Sequence, residues 1–109
     1  MNGLYGSAVP PAGEWAKATD TATPAGKIRT VTVGVCNTTD YPARIYIAFS
    51  TAASGAGVQL KDWKTPGVKL GPGGEYERTH QVVGAGENVF VKSDNGGVAF
   101  DVRGYEGTA

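Results

Sequence analysis

From Lys27 to Cys36, Val31, Val33 and Val35 alternate with Thr30, Thr32 and Gly34, the period of two shown by a strand with one face in a core. A helix would scatter those valines around its axis. Ile45, Ile47 and Phe49 then alternate with Arg44, Tyr46 and Ala48. Because only the turn residues Asn37 to Pro42 separate these two runs, they are expected to form an antiparallel pair. Later, Asn88 to Ser93 carries Val89 and Val91 on one face with Phe90 on the other, and Val98, Phe100 and Val102 alternate with Ala99, Asp101 and Arg103 toward Tyr105. Asp94, Asn95, Gly96 and Gly97 between them read as a hairpin turn.

The remaining runs are weaker. Thr51 to Gly57 is all small residues, as in a surface loop. Val58 to Trp63 reads as a short strand of mixed pattern, Thr65 to Gly67 as a turn, and Val68 to Leu70 as a strand stub. Glu75 to Val83 offers polar side chains until Val82 and Val83, so it reads as an edge strand or an interface. Three glycine turns, Pro24 to Lys27, Gly71 to Glu75 and Gly84 to Glu87, each end in a charged residue and release a β-type run. About seven strands with no helical period predict an all-β fold, a single antiparallel β-sandwich of immunoglobulin-like or jelly-roll kind, with a small barrel as the alternative. Gly3, Gly6, Pro10, Pro11 and Gly13 interrupt the start of the chain. Residues 1–22 are therefore expected as an extended N-terminal arm anchored by Leu4, Tyr5, Val9 and Trp15, lying along its own domain or a neighbouring subunit, with the sandwich over 23–109.

Composition narrows the functional classes. At 109 residues the chain fits one domain, which can bury roughly 65% of its unfolded surface. Ten basic and ten acidic residues cancel and are scattered singly, so neither nucleic acid nor an anionic membrane is an expected partner. No stretch approaches the roughly 20 apolar residues of a membrane span, and the N-terminus lacks the pattern of a secretory signal. Cys36 is the only cysteine. It excludes an internal disulfide, and its place in an apolar run predicts a buried thiol.

No catalytic set can be composed from these residues. In a regular strand Arg78 and His80 would share one face and Glu77 and Thr79 the other. A single histidine makes no metal centre, and no other ligands show metal spacing, so neither metal nor cofactor is expected. Glu75 and Glu77 lie two residues apart beside a turn, where polar edge residues explain them better than an acid and base pair. The glycine turns lack the lysine and hydroxyl of a phosphate-binding loop, and no helix follows them. Trp63, Tyr41, Tyr46, Phe90 and Tyr105 offer the material for a carbohydrate platform if their faces align.

Taken together, Gly3 to Val9, Pro24 to Lys27, Val35 to Asn37, Glu87 to Ser93 and Gly104 to Glu106 resemble a set of small structural proteins of tailed-bacteriophage virions. The resemblance spans nearly the whole chain. It implies a noncatalytic virion component, made in the bacterial host cytoplasm, that decorates or cements the capsid. Its partners would be the major capsid protein or other virion structural proteins, with the chain as a homo-oligomer on a symmetric particle. A collar, tail or fibre-associated protein, or a host-surface carbohydrate-binding module, is the alternative. The expected interface residues are Leu4, Tyr5, Val9 and Trp15 from the arm, with Glu75, Glu77, Arg78 and His80 from the polar edge.

Overall fold

In a computed structural model, residues 2–59 and 62–108 are described. The strands are β1 (Asn2–Ala8), β2 (Ala16–Lys17), β3 (Lys27–Asn37), β4 (Ala43–Ser50), β5 (Trp63–Leu70), β6 (Glu75–Val83), β7 (Asn88–Ser93) and β8 (Val98–Thr108). They pair as nested antiparallel partners, β1 with β8, β2 with β7, β3 with β6 and β4 with β5. Further pairing of β3 with β8 and of β4 with β7 rolls this long double strand into two sheets. Sheet A has the order β1-β8-β3-β6 and sheet B the order β2-β7-β4-β5. Of the expected architectures, this order is the jelly roll, a two-sheet form that limits open edges by doubling back on itself. Between the sheets, Val31, Val33, Val35, Val102 and Phe100 of sheet A meet Ile45, Ile47, Phe49, Val89 and Val91 of sheet B. The alternating residues seen in the sequence therefore do line the core.

Several local expectations are corrected. The 27–36 and 44–49 runs do not pair with each other: they lie in opposite sheets with their apolar faces opposed. The corner between them is fixed by Asn37, which is fully buried. Its amide donates to the carbonyls of Tyr41 at 2.7 Å and of Leu70 and Gly71 at 3.1 Å, and its oxygen accepts from the Thr39 N–H at 3.0 Å. The 94–97 turn is likewise a crossover between sheets. It is held to the opposite corner by Asn95 Nδ2 donating to Pro42 O at 2.6 Å and by the hydroxyl of Thr38 on Gly97 O. Thr65 to Gly67 is no turn, because β5 runs through it. Pro66 is tolerated on an edge strand, and Gly67, at φ +91°, takes up a local register shift against β4. The strand expected over Val58 to Trp63 begins only at Trp63, beyond a 3₁₀ turn at Gly55–Gly57; Leu60 and Lys61 lie outside the described residues.

Residues 2–22 are extended, yet they are not separable from the sandwich. β1 is an outer strand of sheet A and β2 an outer strand of sheet B, so this segment crosses from one layer to the other. Tyr5 and Ala18 are buried in the core. Backbone bonds run from Ala18 N to Val89 O at 2.7 Å and from Asp20 N to Tyr5 O at 2.9 Å, while Thr19 Oγ1 donates to Asn88 Oδ1 at 2.9 Å. Gly6 is required at this crossing, since a Cβ there would stand 2.1 Å from Ala18 O. The end of the core is closed by Arg29, whose buried guanidinium pairs with Glu106 at 3.2 Å and donates to Thr21 O at 2.8 Å.

Candidate functional site

The outer faces of the two sheets are treated differently. On sheet B the outward positions Ala48 and Phe90 are as fully buried as the core. Beside them stand Trp15, Tyr46 and Trp63, packed edge to face with centroid separations of 5.3–6.4 Å and interplanar angles of 62–71°. Lys92, directly opposite Tyr46 in register, places its ammonium among the three rings, 5.0, 4.5 and 5.3 Å from the centroids of Trp15, Tyr46 and Trp63. Aromatic quadrupoles attract a cation in this position. Rings set at these angles do not form the flat stacking platform that a sugar would need, and the box already holds a cation from the chain itself. The 51–59 loop adds cover, passing so close at Gly55 that a Cβ would lie 2.6 Å from the Trp15 Cβ.

Sheet A has no such cover among the described residues. Its outer face holds an open groove of about 530 Å³ that crosses all four strands from Leu4 on β1 to Glu75 and Glu77 on β6. The register explains the hollow. Ser7, Asp101, Gly34 and Glu77 form one row across the sheet, and Ala99, Cys36 and Glu75 form the next. Small residues at the central strands leave a low floor between longer side chains at the margins. Asp101 leans over Gly34, where a Cβ would stand 2.5 Å from Oδ1, and pairs with Arg103 at 2.9 Å. The Glu75 and Glu77 carboxylates are exposed and, among the described residues, have no hydrogen-bond or ion-pair partner. Tyr105 and Val82 flank Thr30 one row beyond Leu4 and Arg103, each more than half exposed.

Edge pairing is discouraged at several points. β6 is an edge strand, as its polar sequence predicts, but a bulge places two residues, Thr79 and His80, opposite Thr32 alone. His80 adopts φ 53°, and Gln81 braces the bulge by accepting from Arg78 Nε at 3.2 Å and donating to Thr79 O at 2.8 Å. Bulges and an edge proline are common means of preventing sheet-to-sheet addition, and β5 carries Pro66 and the Gly67 irregularity on its own edge.

The expected interface residues are thus divided. Leu4, Glu75 and Glu77 all line the groove, Leu4 at its β1 end and the two glutamates at its β6 end. Tyr5 is in the core, Trp15 is in the Lys92 box, and Val9 is exposed outside the groove lining. The regular alternation expected for Arg78 and His80 is broken by the bulge, since one extra residue reverses the facing of everything beyond it. Cys36 is half-exposed and lines the groove rather than being buried, because Val31, Val33 and Val35 take the inward parity of β3. Sequence reasoning missed Gly34, Asp101 and Lys92. The available signal was parity: each lies on the outward phase of a strand whose inward phase was already clear. Among the described residues no three His, Cys, Asp or Glu side chains gather as metal ligands. Comparison with protein-family models, with curated proteins and with solved structures gives no match to this chain.

Proposed function

We propose that this chain is a noncatalytic structural component of a tailed-bacteriophage virion that docks on a neighbouring virion protein through the outer face of sheet A. The observation that carries the docking is the asymmetry of the sandwich. Sheet B seals its outer face with Trp15, Trp63 and a loop, whereas sheet A leaves a groove bordered by the exposed Leu4, with the exposed Tyr105 and Val82 farther along the same face. A contiguous uncovered face with apolar side chains is where a partner gains most from binding. The virion assignment rests on the resemblance of the chain's turn and strand residues to small phage structural proteins.

The noncatalytic reading has support in the same geometry. Cys36 lies opposite Glu75, while His80 lies opposite Thr32, four positions away along β3 and so about 13 Å distant. A thiol and a base so separated cannot work as a pair. Decoration or cementing of the capsid through the major capsid protein is the favoured position, and a collar or tail position is the alternative. The Lys92-filled box weighs against a host-glycan platform.

Electron microscopy of the assembled particle tests the reading directly. The expected map places the chain on a symmetric lattice or ring with Leu4, Glu77 and Tyr105 against a neighbour. Absence from the particle, or attachment through the Trp15 side of sheet B, overturns it.

A further inference from the structure

We infer that the sheet A groove receives an extended segment of the partner protein that presents a lysine or arginine side chain to Glu75 and Glu77. This deepens the docking reading above and rests on it. Charge complementarity is the deciding argument. Glu75 and Glu77 project from the same face of β6, two residues apart, as an exposed like-charged pair that, among the described residues, has no cation. The nearest cation in sequence, Arg78, is directed to Gln81 by its 3.2 Å hydrogen bond, on the opposite parity of the strand. Arg103, the basic residue lining the groove, is engaged by Asp101 at 2.9 Å. The groove therefore keeps two uncompensated negative charges at its β6 end, and an ammonium or guanidinium from outside is the complement.

The shape of the groove selects the rest of the ligand. Crossing four strands spans three spacings of about 4.8 Å, roughly 14 Å, which about four extended residues cover. The floor is lowest at Cys36 and Ala99, beside Gly34 and the Asp101 carboxylate that leans over it. At the far end Leu4 is 52% exposed, a contact for one apolar side chain. The ligand is accordingly a short extended stretch, apolar at one end and basic at the other. With the β6 edge bulged at Thr79 and His80 and the β1 edge shifted in register between Leu4 and Gly6, it lies across the face rather than adding a strand to the edge.

The test is a titration of the full-length, isotope-labelled chain with acetyl-Val-Ala-Ala-Lys-Ala-Lys-amide, followed by backbone amide resonances in low salt. Shifts are expected at Gly34, Cys36, Glu75, Glu77 and Ala99. The counterpart with glutamine in place of both lysines should bind at least tenfold more weakly. The Glu75→Gln/Glu77→Gln double variant, whose changes are solvent-exposed and whose fold the same spectra check, should lose at least tenfold for the lysine peptide and little for the glutamine one. No shifts at millimolar peptide, equal binding of a glutamate counterpart, or shifts gathered at Thr79 to Val82 or around Lys92 would overturn the inference. A chain seen docked through sheet A on particles that ignores these peptides sinks the groove chemistry alone. Peptide binding by a chain that particles hold through sheet B sinks the docking reading alone.

Discussion

The Arg29 guanidinium lies 4.4 Å from the centroid of the Tyr5 ring, joining β3 to β1, two strands that do not pair with each other. The same group meets Glu106 on β8 and Thr21 ahead of β3, so one side chain gathers three separate segments at the end of the core. Arg29→Ala would leave the Glu106 carboxylate largely buried without its cation. Such losses cost about 3–5 kcal/mol, and urea unfolding monitored by tryptophan fluorescence should show a fall of that size.

Tyr5 gives the fold an alkaline limit. Burial, reinforced by the Glu106 carboxylate and opposed by Arg29, raises the hydroxyl's pKa above its ordinary 10.0. The folded chain then holds this proton more tightly than the unfolded chain does. Stability is whole below about pH 10 and declines as pH rises through the folded value. Urea midpoints measured between about pH 8 and pH 11 should show the decline, and Tyr5→Phe should flatten it. An equal decline in the variant would assign the effect to another group.

Deleting residues 1–15 should damage the sandwich itself. The deletion takes β1 and the buried Tyr5 from sheet A and Trp15 from the cover of sheet B. Loss of one large buried aromatic alone costs about 3–5 kcal/mol. Calorimetry should find either no cooperative transition or a melting temperature lowered by more than about 10 °C. A deletion variant that melts like the full chain would show that the segment is only apposed.

Lys92→Met keeps an unbranched chain of similar reach among Trp15, Tyr46 and Trp63 but removes the charge that these rings face. A partly desolvated cation over aromatic faces is worth about 1–2 kcal/mol, and the variant should lose stability in that range. In the parent chain the Lys92 methylene protons next to the ammonium should resonate well upfield of an ordinary lysine, through the ring currents. Ordinary shifts would mean that the box is open in solution.

His80 occupies a left-handed backbone conformation at φ 53°. A β-branched residue there is strained, so His80→Val should destabilise by about 1–2 kcal/mol, whereas His80→Gly should be near neutral. If valine is tolerated as well as glycine, the bulge is not held in solution.

Strand existence was legible wherever inward valines, isoleucines and phenylalanines kept strict parity, as in β3, β4, β7 and β8. Pairing was not, because the alternation of β3 and β4 suits two strands facing across a core as well as two side by side. The partners each strand takes separate those cases, and the contacts of Asn37 and Asn95 with distant backbone fix the corners between them. The N-terminal segment was legible as an extended stretch lying on its domain but not as strands of both sheets, for a related reason: its glycines look like breaks, while at Gly6 the missing side chain is what lets two segments cross. Of the site, Glu75 and Glu77 were visible as exposed carboxylates. The groove they border was hidden, since it arises from Gly34, Cys36 and Ala99 being neighbours only in the folded sheet.

The nested pairing has a temporal meaning as well. Ala43 meets Leu70 through a short intervening chain, whereas Asn2 meets Tyr105 across almost the entire sequence. Contacts of such high order close slowly, so assembly should run from the middle of the chain outward. Because β8 lies between β1 and β3, β1 has no strand to pair with until β8, about a hundred residues later in the chain, has been made.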